Sequence, residues 1–246
     1  MAAAPEHSTQ APPVNYAADF ARDGYVIARG LFDRKTMVQW KQTTQVELTA
    51  DAEAKDGDPF AGIVGGVRVW MWDHIHADLL AGMGDAHLTP ILKQLIGPNV
   101  AFLSAKAVFK NNATQFASPW HQDWFYWGGA TKTSVWIALD DATIANGCLK
   151  VVPGSHTKVF DKQVVNDNTF TNRIADADIE GLEVRSLEAK AGDAIFFHDL
   201  LVHSSHPNTA GADRWSLIAT YRDAALPDEA NVWPSQHVIA GAASST

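Results

Sequence analysis

Apolar and polar positions follow two different rhythms along this chain. In the N-terminal part the rhythm is helical. Residues 15–23 read as a short helix capped by Asn15 and stopped at Gly24. Residues 25–28 follow as a strand. Asp33 is placed to cap a longer helix reaching about Thr49, with Met37, Trp40 and Thr44 on one face. The Gly- and Asp-containing stretch 54–66 reads as loop, 67–72 alternates like a strand, and 88–96 is a helix ended by Gly97 and Pro98.

From residue 100 the rhythm changes. Short apolar runs at 100–110, 133–139, 148–152, 181–187, 194–197 and 215–222 alternate with turn signals such as Asn111 and Asn112, Asp140 and Asp141, or Pro153 and Gly154. Strands at this spacing predict an antiparallel sandwich or barrel. Helices first and strands afterwards predict a mainly β core carrying an N-terminal helical layer. No repeat or linker interrupts the chain. Residues 1–14, rich in Ala and Pro, are expected to be a disordered lead, residues 15–240 a single domain, and the final AGAASST a frayed tail. The segments 54–66 and 166–178 are the expected mobile loops, ordering when substrate binds.

Composition narrows the function classes. The 246 residues are 46% hydrophobic and 19% charged, which suits a sizeable core and excludes a disordered chain. A formal net charge of −9 argues against nucleic acid, which needs basic surface. Cys148 stands alone, so an intramolecular disulfide and a zinc site of several thiolates are both excluded. Ten His together with carboxylates remain as the vocabulary for any metal. No apolar run approaches the ~18 residues of a membrane span, and the N-terminus lacks a secretory pattern. The expectation is a soluble, cytoplasmic protein with a small-molecule substrate and neither nucleic acid nor membrane as partner. Monomer and homodimer both stay open.

The most informative stretch is PWHQDW, residues 119–124. On a strand, His121 and Asp123 would point to one side and Gln122 to the other. An imidazole and a carboxylate so placed supply two ligands of a 2-His-1-carboxylate triad, which leaves coordination positions on Fe(II) free for cosubstrate and oxygen. The same spacing recurs at His76 and Asp78, where the start of a helix carrying Leu79 and Leu80 is the simpler reading. Three candidates for the third ligand crowd 192–207: His198, His203 and His206. Their odd separations put neighbours on opposite faces of a regular strand without choosing among them. Arg214 favours His203. It stands eleven residues further on, before the apolar run 215–221. An Arg deep in a barrel needs an anion, and its planar fork matches a carboxylate. A surface Arg in a hairpin is the plain alternative. At the level of the whole protein, a non-oxidative isomerase or lyase of cupin type and a jelly-roll binding module without catalysis are the alternatives.

Together these features resemble the phytanoyl-CoA dioxygenase family of Fe(II)/2-oxoglutarate oxygenases. The resemblance runs from about Phe20 to Ala224 and rests on four stretches in order: DFARDGYVIARGLFD, PWHQDWFYW, TSVWIALDDATIANGCLKVVPGSH and GDAIFFHDLLVHSSHPNTAGADRWS. It implies a double-stranded β-helix core, jelly-roll or cupin-like, with flanking N-terminal α-helices. It implies Fe(II) on His121, Asp123 and His203, and 2-oxoglutarate and O2 as cosubstrates. Arg214 would clamp the far carboxylate of 2-oxoglutarate with help from the Ser205 hydroxyl, and Trp136 would line the cosubstrate pocket. Lys106 stands where the family often has an apolar residue, and Arg68 lies near a basic residue of the family that reaches 2-oxoglutarate. Both are candidate cosubstrate contacts. His198 and His206 become non-ligands, and His156 a turn residue.

The reaction implied is oxidation, most simply hydroxylation, of an unactivated C–H, with release of succinate and CO2. Desaturation, epoxidation and rearrangement use the same centre. Halogenases of this resemblance lack the carboxylate ligand, so Asp123 points away from halogenation. Aromatic residues around the motif suggest a small, largely apolar organic substrate such as a secondary metabolite or its precursor. Trp124, Trp127 and Trp72 would form its walls and His74 a polar anchor. The acidic balance disfavours a CoA thioester. An amino-acid-like or quaternary ammonium substrate is the alternative, because aromatic faces attract cations.

Overall fold

The computed structural model describes residues 15–53, 67–113, 115–165, 170–230 and 232–243. The expected lead at 1–14 and loop at 54–66 therefore lie outside the described residues.

The N-terminal layer is helical. In α1 (Tyr16–Asp23) the Asn15 side chain accepts from Ala18 N, and Gly24, at φ 79°, takes the left-handed turn that ends the helix. After β1 (Tyr25–Ala28), α2 (Arg34–Glu53) starts on Asp33, whose carboxylate accepts from Thr36 N at 2.7 Å. Such a cap contributes about 1 kcal/mol. The helix runs past the expected end near Thr49. β2 (Val67–Met71) follows, then α3 (Ala77–Met83) and α4 (Leu88–Leu95). The His76 ring accepts from Asp78 N at 3.2 Å as the cap of α3, so the second His-x-Asp is a helix start.

The remainder is β3 (Val100–Lys110), α5 (Trp124–Trp127), β4 (Lys132–Ala138), β5 (Leu149–Val151), β6 (Gln163–Val164), β7 (Asn172–Arg173), β8 (Arg185–Leu187), β9 (Ala194–His198), β10 (His203–Ser205), β11 (Arg214–Asp223) and β12 (His237–Ala240). A seven-stranded antiparallel sheet has the order β1-β9-β4-β11-β3-β12, with β2 also on β3. A smaller sheet has the order β10-β5-β8. The two face each other as the halves of a jelly roll, the expected mainly β architecture.

Alternation on the large sheet decides where everything sits. Ala105 and Ala107 of β3, Val135 and Ile137 of β4, Phe196 of β9, and Leu217 and Ala219 of β11 share one face and pack with Met37, Trp40, Leu79 and Leu92 of the helices. The residues between them face the small sheet. There Trp136, Ala138, Ile195 and Phe197 pack with Leu149, Val151 and Leu187. Both faces are covered, which is why these strands read as nearly continuous apolar runs.

Three expectations are corrected. Residues 119–124 do not form a strand. His121 pairs in a single bridge with His203, and Asp123 is already helical (φ −59°, ψ −33°) at the head of α5. Tyr126 N donates to Asp123 O at 2.9 Å and Trp124 N to Asp199 O at 3.0 Å, which turns the chain. The expected loop 166–178 is partly regular where it is described. It contains β7, and buried Ile174 donates its N–H to Trp120 O at 2.8 Å. The expected strand 181–187 shrinks to β8, and β12 was not anticipated. Among the described residues no helix is long and apolar enough to cross a membrane.

Candidate active site

A cavity of about 390 Å³ lies between the two sheets. His121 reaches it from the bridge to β10, Asp123 from the first turn of α5, and His203 from β10 itself. Their ligand-capable atoms lie within 4.8 Å of one another. Asp123 Oδ1 sits 3.6 Å from His121 Nε2 and 3.8 Å from His203 Nε2, while Ser134 Oγ donates to the other oxygen, Oδ2, at 3.1 Å.

The protons are arranged for a metal. His121 Nδ1 is 2.9 Å from Pro119 O, and His203 Nδ1 is 2.9 Å from Leu201 O. A carbonyl only accepts, so each Nδ1 carries a hydrogen and each Nε2 is the nitrogen turned toward the cluster. Burial, reinforced by the neighbouring His121, pushes His203 down to about 4, so it is neutral at pH 7. Burial would raise Asp123, but the charge of Lys106 and the two imidazoles hold its carboxyl well below the usual range. Two imidazoles presenting Nε2 and one carboxylate are the donor set that suits Fe(II).

A second group of residues gathers around Arg214. Arg214 opens β11 directly opposite Lys110 of β3. It is 2% exposed, and its charge lies 5.5 Å over the Trp136 ring. One guanidinium nitrogen donates to Ser216 Oγ at 2.8 Å, but buried Nε has no partner. Burial lowers its pKa to about 10, leaving it charged. Ser205 Oγ lies 2.7 Å from Ser118 Oγ and accepts from Lys110 Nζ at 2.8 Å. Burial, together with the charge of Arg214, brings Lys110 down to about 7.

The cavity brings together His121, Asp123, His203, Arg214, Ser205, Trp136, Lys106 and Trp127. The structure does not bring in the remaining four candidates. Arg68 is buried on the opposite face of β2 from the lining residues Val67 and Val69, with its charge over Trp70. Trp72 stacks on His237 and donates to Ser235 Oγ. The His74 side chain is half exposed beside Asp73. Trp124 is half-buried outside the lining. Strand parity explains Arg68. For the other three, nearness in sequence to an aromatic run did not carry nearness in space. His198 turns its ring toward His156 and Phe20, and His206 bonds Ser186, so neither joins the cluster. Lys110, Ser118, Phe170 and Trp233 were missed. Only Lys110 carried a signal, its even spacing from Lys106 on one strand.

Fold and site define a jelly-roll protein with a buried His-Asp-His cluster suited to a metal. The chain belongs to the phytanoyl-CoA dioxygenase (PhyH) family, whose model matches residues 20–216. It is 31% identical over 162 residues to an L-proline trans-4-hydroxylase of Streptomyces griseoviridis, covering 54% of this chain and 59% of that one. The chain spans about half the length of the curated relatives it matches. Among solved structures, the non-heme monooxygenase ThoJ in its apo form superposes with a TM-score of 0.76 at 21% identity, over 92% of this chain and 84% of that one. The epimerase SnoN, solved with Fe3+, alpha ketoglutarate and nogalamycin RO, gives 0.68 at 21% identity, over 85% and 83%. These structural likenesses show the fold.

Proposed function

We propose that this protein is an Fe(II)- and 2-oxoglutarate-dependent dioxygenase that oxidises, most simply hydroxylates, a C–H bond of a small organic molecule. One observation carries the reading. The cavity that holds the His-Asp-His cluster also holds a buried Arg214 whose Nε has no partner. Leaving part of a buried guanidinium unsatisfied is costly unless a ligand completes it. A cupin-type isomerase would need the cluster but has no use for that fork.

His121, Asp123 and His203 would hold the iron. Arg214 would receive the far carboxylate of 2-oxoglutarate, with the Ser205 hydroxyl beside it and Trp136 as a wall. When bound, iron and cosubstrate supply the oxidising power, coupling loss of CO2 from 2-oxoglutarate to oxidation of the substrate. The chain's own residues position and shield. Ser134 and the two backbone carbonyls fix the orientation of the three donors. Phe116, Phe170, Trp127 and Trp233 line the remaining space and keep it dry. The Asp123 carboxylate fills the position a halide would need, which favours hydroxylation over halogenation. The name of the proline hydroxylase relative supports the same outcome.

The test is anaerobic. Adding Fe(II) and then 2-oxoglutarate to the protein should produce the visible charge-transfer band of a chelated 2-oxo acid. Folded protein without that band overturns the reading. Arg214→Ala should weaken 2-oxoglutarate binding about 100-fold, as expected for a lost buried charge pair of roughly 3 kcal/mol, and leave iron binding intact.

A further inference from the structure

Three lysines stand on the interior face of the large sheet, and two of them are answered by the protein. Lys132 donates to Gly128 O at 2.9 Å and pairs with Asp228 at 2.9 Å. Lys110 donates to Ser205 Oγ and to His206 O. The third, Lys106, makes no hydrogen bond or ion pair among the described residues, and its ammonium lies 5.1 Å over the face of Trp127. Its partners across the sheet are Val69 on β2 and Ile218 on β11, which line the cavity and offer no acceptor. On its own strand Ser104 is engaged by Trp233 Nε1 at 3.1 Å, and Val108 is apolar. Asp123 feels the charge of Lys106, but its oxygens face His121, His203 and Ser134.

Lys106 is half-buried at the cavity and no hydrogen-bond acceptor meets its ammonium, so an anionic group placed there would gain a charge-assisted hydrogen bond.

We infer that the substrate of this cavity is a small carboxylic acid on an apolar frame, and that its carboxylate pairs with Lys106. This rests on the oxygenase reading for the chemistry that follows binding. In the β3–β11 register Lys106 faces Ile218, four residues beyond Arg214, or roughly 13 Å along the strands. Two long side chains can close much of that span, so 2-oxoglutarate affinity in the Lys106 variants is what separates a substrate carboxylate from the cosubstrate's. The Lys106 head also lies over Trp127 of α5. The same placement excludes the cationic alternative at this wall, because the aromatic face that would attract a quaternary ammonium already carries a lysine. The cavity of about 390 Å³ is near the lower end of the usual range of roughly 300–1,000 Å³, so with 2-oxoglutarate inside, the acid is small.

The test uses matched probes. Short alkyl and aryl monocarboxylates and their primary amides are titrated anaerobically into the Fe(II)- and 2-oxoglutarate-loaded protein. Binding is read by calorimetry and by perturbation of the charge-transfer band. At least one acid should bind about tenfold or more tightly than its amide. That preference should vanish in Lys106→Met and return in Lys106→Arg, with 2-oxoglutarate affinity unchanged in both. If no acid outbinds its amide, or if Lys106→Met retains the preference, the inference is overturned. Loss of 2-oxoglutarate affinity in Lys106→Met also overturns it, by assigning the lysine to the cosubstrate. Absence of the band in the unmodified protein is a different result and removes the oxygenase reading instead.

Discussion

Two imidazoles and a carboxylate hold a divalent metal only if their protons are kept elsewhere, and each of the three is arranged for that. His121 and His203 spend their Nδ1 hydrogens on backbone carbonyls, and Ser134 donates to the Asp123 oxygen away from the cluster. His203→Ala should therefore lower Fe(II) affinity by more than the roughly 10–100-fold that loss of a supporting contact costs. His198→Ala should leave it unchanged, since that ring packs against His156 and Phe20; the reverse result in a metal titration would reassign the ligand. Lys110 sets a pH dependence. Burial and the charge of Arg214, with Lys150 adding to it, lower its folded pKa from 10.5 to about 7, while Cys148 acts in the opposite direction. Between about 7 and 10.5 the unfolded chain holds more protons at this site, so stability from this group rises with pH across that window and is lowest below 7. A dianion placed beside Arg214 and Ser205 favours charged Lys110. Affinity for 2-oxoglutarate should thus fall as pH rises through about 7, and Lys110→Met should flatten the profile measured by calorimetry.

At the scale of elements, β3 and β11 were legible and the ends of the motif were not. A strand covered on both faces shows itself as a continuous apolar run, and parity then assigns Lys106, Arg214 and Ile218 to one side and Ala107 and Leu217 to the other. The HQD stretch misled because Trp, Phe and Tyr favour strands locally. The turn into α5 is imposed by Asp199, far along the chain, which accepts from Trp124 N. Trp233 gave no signal, because its place in the cavity depends on the segment before β12 folding back. Trp233 packs on Trp127 with ring centroids 5.2 Å apart, and the Lys132–Asp228 pair fastens that segment. The Lys132 side chain is 0% and that of Asp228 9% exposed. Breaking such a pair from one side costs about 3–5 kcal/mol, because the other charge stays buried. Asp228→Ala should lower the free energy of unfolding by about that amount in urea titrations and make the chain around Asp228 and Trp233 more open to limited proteolysis.

The whole molecule separates support from chemistry. One face of the large sheet carries the helices and most of the core, and the other carries the cavity. Damage on the first face should therefore change stability without changing binding. Gly82 of α3 tests this separation. A Cβ built there would lie 2.1 Å from Cζ2 of Trp40, which is buried in α2 against Phe32 with ring centroids 5.0 Å apart. Gly82→Ala gains about 1 kcal/mol of helix propensity. Forcing a methyl into the Trp40 ring costs about 1–3 kcal/mol. The clash is with a ring held on both sides, so the loss should prevail, and thermal unfolding should shift down by a few degrees. Because α3 and the Arg214 fork lie on opposite faces of the sheet, Gly82→Ala should leave 2-oxoglutarate affinity unchanged. Combined with Arg214→Ala, the two effects should add to within about 0.5 kcal/mol. A binding defect in Gly82→Ala alone would show that the helical layer also shapes the cavity, and the two faces would have to be treated as one cooperative unit.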